Sequence, residues 1–193
     1  MITHQLDARA RKMLEDMQKL FRRWEHPVEQ ITTAAGQEEK TPFVNRERWA
    51  KDHQWQDFEI NLTTGATGLG GQQYLYLTTG YEGQWDAVNP QFLAEVNGHI
   101  MQAFDVNHTR MPLHGNTQYA IVLHGYYARP ANHLGCPYFK ADLCEVNTEL
   151  EQLYYDLKVP YEACLLLPPE DRERETTLEW ISRALDLLDL RSP

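Results

Sequence analysis

Residues 114–137, HGNTQYAIVLHGYYARPANHLGCP, gather three of the chain's eight histidines and one of its three cysteines around an apolar run. His133 and Cys136 stand three apart, a spacing that lets two ligands close on one metal. His114 or Cys144 would complete a tetrahedral set of nitrogen and sulfur donors for zinc. The candidate metal ligands are therefore His114, His124, His133 and Cys136, with zinc the one cofactor suggested and none required. The same stretch also suits thiol chemistry. Cys136 or Cys144 would be the nucleophile, an imidazole such as His124 its base, and Asp105 or Asp142 the orienting acid. The candidate catalytic residues are His124 and Cys136. Cys164, inside ACLLLP, reads as core.

Other chemistries are excluded by the text. Serine occurs only at 182 and 192, so no G-x-S-x-G elbow exists for a serine hydrolase. There is no Walker loop, no dinucleotide fingerprint and no H-E-x-x-H. Glycines 65, 68, 70 and 71 lack the Gly-Lys-Ser/Thr that would make them a phosphate loop, and read as a flexible hairpin loop. Paired acids, Glu59 with Glu82 or Asp86, would suit glycosidic chemistry if they faced a cleft, and nothing in the sequence places them in one.

Charge points to a partner. Residues 1–51 carry ten Lys/Arg against eight Asp/Glu, whereas residues 52–193 carry eight against twenty. No basic residue lies between Lys51 and Arg110, so the middle of the chain offers no phosphate-binding face. An acidic surface favours a basic protein partner, with Glu59, Glu82 and Asp86 as its contact residues. Nucleic-acid binding would fall to the first helix through Arg22 and Arg23, but Asp7, Glu15 and Asp16 interrupt its positive field.

No apolar run approaches the roughly 20 residues of a membrane span, and MITHQLDARARKML has no signal-peptide pattern. Three cysteines without a C-x-x-C suit free thiols in a reducing compartment. The expected location is cytoplasmic, which makes the sequons at Asn61 and Asn107 incidental. A homo-oligomer is compatible with all of this.

These residues need elements to hold them. Leu6, Ala10, Met13, Leu14, Met17, Leu20, Phe21 and Trp24 recur at helical spacing, predicting a helix over 1–26 capped by Thr3 and stopped at His26-Pro27. Residues 27–56 read as an irregular connector, with a short helix in RERWAKDHQW. INLTTGATG and LYLTTGYEG echo one another as two strands leaving through similar turns. Asn89-Pro90 starts a helix with Phe92, Leu93, Val96, Ile100 and Phe104 on one face. Tyr119 to Leu123, apolar throughout, is an inner strand with both faces filled, ending at His124 and Gly125. DLCEVNTELEQLYYDLK is a helix, VPYEACLLLPP a buried strand, and EDRERETTLEWISRALDLLDL the last helix. The fold class is α+β: a single mixed domain over 1–193, with a partly antiparallel sheet of about four strands and about four helices. The function expected is a soluble, acidic binding or regulatory protein of inhibitor, adaptor or immunity type. The alternative is a small metal- or thiol-dependent enzyme using the His/Cys cluster at 114–144.

Overall fold

Period-two burial governs the middle of the chain. The structure, a computed structural model, describes residues 2–36, 39–49, 54–78, 91–127 and 138–189. Within them the order is α1 (Ile2–Leu20), β1 (Arg22–Pro27), β2 (Ile31–Ala34), β3 (Thr41–Pro42), β4 (Gln54–Thr63), β5 (Gly71–Thr78) and β6 (Gln91–Val96). β7 (His99–Phe104), β8 (Arg110–Leu113), β9 (Gln118–Tyr127), β10 (Lys140–Asn147), α2 (Thr148–Cys164) and α3 (Arg172–Asp186) complete it. Among the described residues the protein is mixed α+β, with three helices and two antiparallel sheets rather than four helices on one four-stranded sheet.

The chain, read from sequence as one domain, divides into two compact units. One comprises Met1–Arg23, Leu69–Gly71 and Val146–Pro193, the other Trp24–Gly68 and Gln72–Glu145. The second is a β-sandwich. Its four-stranded sheet runs β1-β10-β5-β8 and its six-stranded sheet β3-β2-β4-β9-β6-β7. Side chains pointing inward from both sheets form one core, including Phe58, Ile60, Leu75, Leu77, Phe92, Ile121, Leu123 and Phe139. Phe139 stacks on Phe58 at 4.2 Å and meets Phe43 and Phe92 edge-on. Trp49, which the sequence placed in a short helix, is buried against Phe58, Phe92 and Tyr127 instead. Residues 46–49 are not helical, and 50–53 lie outside the described residues. The supposed connector thus carries β2, β3 and the start of β4.

Residues 91–104 form a hairpin, not a helix. Phe92, Ala94, Val96 and Phe104 point inward while Ile100 and Met101 are exposed. Asn97 and Gly98 both take positive φ, 50° and 84°, the conformation of a tight hairpin turn whose twist matches its strands. Asn89-Pro90 lies outside the described residues. β9 lies between β4 and β6, so it is an inner strand as expected. Only one of its faces is buried, however: Tyr119, Ile121, Leu123, Gly125 and Tyr127 alternate with more exposed neighbours. The strand also continues two residues past Gly125. Thr63 and Thr78 of the echo end β4 and β5, which belong to different sheets, so the glycines at 65–71 connect sheets and close no hairpin; residues 79–83 of the echo lie outside the described residues.

The other unit contains α1, α2 and α3. Leu14, Met17 and Phe21, with Tyr154, Leu157, Leu178, Ile181 and Leu185 from the other two helices, are buried. Tyr161 donates its hydroxyl hydrogen to Asp7 at 2.6 Å, and Arg9 donates to Ser182 at 2.8 Å. α1 ends at Leu20, and Arg22 and Arg23 belong to β1, so they extend no basic helix. Its start at Ile2 leaves Thr3 inside the helix rather than capping it. The segment DLCEVN is β10, and Asn147 caps α2 by accepting the N–H of Leu150. Thr148 makes no capping box; its hydroxyl donates to the Gly70 carbonyl. VPYEAC is the second half of α2, which carries Pro160 inside it. Among the described residues, no helix is long and apolar enough to cross a membrane.

Candidate functional site

The antiparallel register of β4 against β9 sets Asp57 opposite His124, Trp55 opposite Tyr126 and Glu59 opposite Val122. On the other side, β6 sets Leu93 opposite His124 and Glu95 opposite Val122. Since alternate residues share a face, all of these side chains stand on the outer surface of the six-stranded sheet. His124, flagged from the sequence, is at the centre. Its Nδ1 is 2.9 Å from Asp57 Oδ1, and its Nε2 is 3.6 Å from Glu95 Oε2. An ionised carboxylate only accepts, so the Nδ1–H donates to Asp57 and fixes the ring. The Glu95 separation is beyond hydrogen-bond reach. Trp55, well exposed, lies 4.8 Å from Tyr126 as a tilted aromatic pair. Glu59 is held by Lys40 at 2.6 Å. The face therefore has three carboxylates, one lysine, one imidazole and an aromatic platform.

Of the other sequence-predicted residues, His114, Cys144, Asp105 and Asp142 are described and do not join His124. His114 is exposed beyond β8, its backbone N–H donating to the Tyr119 hydroxyl. It lies beyond the Gln118 end of β9, and from Gln118 to His124 alone the strand rises roughly 20 Å. His133, Cys136, Glu82 and Asp86 lie outside the described residues. Cys144 is fully buried in β10. Asp105 closes its own turn, accepting the N–H groups of Asn107 and His108 and facing His108 Nδ1. Burial pushes its carboxyl upward, but these hydrogen bonds outweigh it and hold the group below the usual carboxylate range. Asp142 is buried between Lys140, at 2.6 Å, and Arg46. Neither acid orients His124; Asp57 does. Among the described residues, no three His, Cys, Asp or Glu side chains gather as a metal set. The sequence reading missed Asp57 and Glu95, whose role exists only once three strands are in register.

Two clefts of about 790 Å³ each also mark the β-sandwich. The first is lined by His26, Asn61, Thr63, Gln118 and Tyr119 among others, the second by Thr32, Phe43, Val44 and Glu59 among others. Pro27, Val28, Glu29, Gln30 and Asn61 line both. Neither is lined by His124.

No protein-family model matches the chain, and no curated protein matches it. Among solved structures it is similar to an acetyl xylan esterase (Est2A) from the rumen bacterium Butyrivibrio proteoclasticus, at TM-score 0.32 and 7% identity over 63% of this chain and 31% of that one. It is also similar to the CBM51-2 and INT domains from Clostridium perfringens ZmpB, in complex with GlcNAc, at TM-score 0.26 and 12% identity over 84% and 41%. The chain thus spans well under half the length of these structures. Likeness at this level assigns neither fold nor function.

Proposed function

We propose that the protein is a binding or regulatory module that engages the basic surface of a protein partner through the outer face of its six-stranded sheet. The observation that carries this is the placing of Asp57, Glu59 and Glu95 on one face beside Trp55 and Tyr126, with Lys40 and half-buried His124 the basic groups among them. Carboxylates pair with Lys and Arg, and aromatic faces attract the same cations. Exposed ion pairs are individually weak, at about 0.2–1 kcal/mol, so such a face acts by summing several and by steering. Replacing Asp57, Glu59 and Glu95 together by Lys turns three negative charges of the face into three positive ones. Surface plasmon resonance against an immobilised Lys/Arg-rich peptide should then show Kd weakened by about thirtyfold or more. Binding that is unchanged in the triple variant, or insensitive to salt, sinks the proposal.

The Asp57–His124 hydrogen bond is also the contact an oriented general base needs, which keeps the thiol-enzyme alternative as a second reading. Its position facing Nε2 is taken by Glu95, and its nucleophile would have to be Cys136. Replacing His124 by Ala should leave partner binding in place under the first reading and abolish turnover under the second.

A further inference from the structure

We propose that the two clefts of the β-sandwich form one groove for an extended peptide, whose backbone is read by Asn61, Gln118 and Gln30 and whose basic side chain meets Glu29. This rests on the reading of the protein as a binder of a basic partner and gives that partner a form: an unfolded segment rather than a folded surface.

Three observations carry it. The clefts adjoin, because the stretch from Pro27 to Gln30 and Asn61 line both. Their amides are also spare. Among the amides of this unit, Asn45, Gln56, Gln72, Gln73 and Gln102 are held by hydrogen bonds within the sandwich. Asn61, Gln118 and Gln30, by contrast, are exposed and make no side-chain hydrogen bond among the described residues. An amide offers both a donor and an acceptor, the pair that a peptide unit also carries, so a row of free amides matches an extended backbone group for group. Finally, Glu29 lies in the shared middle of the groove and has no ion-pair partner among the described residues. It is the one carboxylate of the groove left open to a cation, since Glu59 is already held by Lys40. Exposed Val44, which lines the second cleft, adds an apolar contact.

The experiment uses the full chain and two probes of equal charge. One is an N-acetylated, C-amidated octapeptide of alternating Gly and Arg, with four positive charges, read by isothermal titration calorimetry; the other is spermine, which carries four positive charges and no peptide groups. A groove that reads backbone binds the peptide at least tenfold more tightly than spermine. The Asn61→Ala/Gln118→Ala double variant loses that advantage and leaves spermine unchanged, while Glu29→Gln weakens both. These positions are exposed, so an unchanged circular-dichroism melt checks that the variants fold. Equal affinity for the two probes, or a double variant that binds the peptide normally, overturns the groove while leaving the acidic face standing. Failure of both probes to bind overturns the groove and the proposed function together.

Discussion

Tyr161 brings a phenol into the helical unit, where it is buried and donates to the Asp7 carboxylate. Burial, then the Asp7 hydrogen bond and charge, push its pKa up from 10 to about 12. A phenol is neutral when protonated, so the folded state favours the form that holds the proton. The stabilisation is complete below the unfolded value near 10 and disappears as pH rises through the folded value near 12. Its size is on the order of 2 kcal/mol. Denaturation of the wild type between pH 9 and pH 12 should show this loss, and Tyr161→Phe should flatten that part of the profile; an identical alkaline profile in the variant would refute the assignment. His124 shows the complementary limit at this scale. Its residue type drew notice in the sequence, but its meaning depends on Asp57 and Glu95, which are 67 and 29 positions away in the chain. Residue type names a candidate, and only strand register supplies its neighbours.

Whole elements were legible where one period had no competitor. The amphipathic stripes of α1 and α3 had none. Phe92, Leu93, Val96, Ile100 and Phe104 fit a helix by spacing, yet Phe92, Ala94 and Val96 fit a strand equally well, and short apolar runs do not separate the two. The deciding signal was Asn97-Gly98, the dipeptide of a tight hairpin turn. A similar ambiguity hid the junction of β10 and α2, where Leu143 and Val146 extend a helical stripe that Asn147 in fact begins anew. Pro160 made the end of α2 look like a strand boundary, because a helix-interior proline costs about 3 kcal/mol on average; Tyr161 and Cys164, both buried, hold the turn that follows. Gly125 tests the sandwich at this scale. A Cβ there would come within 2.8 Å of the Phe92 ring and 3.0 Å of the Gln56 carbonyl. Phe92 is buried and Gln56 is the β4 residue paired with Gly125, so neither has room to move. Gly125→Ala should therefore destabilise by roughly 1–3 kcal/mol, lowering the denaturant midpoint without changing the slope; a midpoint equal to wild type would mean the strands can separate locally.

For the molecule as a whole, composition conveyed the acidic balance and the order of periodic segments the mixed class, while nothing in the sequence drew the two units. The chain passes between the units at 23/24, 68/69, 71/72 and 145/146, where no linker composition marks it, since these crossings lie within β1, a glycine loop, β5 and β10. What holds the larger unit together is equally non-local. Phe139 joins the sandwich by stacking on Phe58 of β4, with Phe43 and Phe92 at its edges. It touches residues from 43 to 92 and is fully buried, so its removal opens a cavity against Phe58 and Phe92 of the six-stranded sheet. Aromatic-to-alanine changes in such cores cost about 3–5 kcal/mol, against a total stability on the order of 5–15 kcal/mol for a domain. Phe139→Leu keeps much of the volume and should cost less than half as much. The checkable quantity is the ratio: chemical denaturation followed by the fluorescence of buried Trp49, whose ring lies against Phe58 and Phe92 of the same cluster. A large loss for Ala with a small one for Leu identifies packing volume as the cause. Equal losses would instead make the ring stacking itself the cause, and the sandwich would then depend on aromatic geometry more than on a filled core.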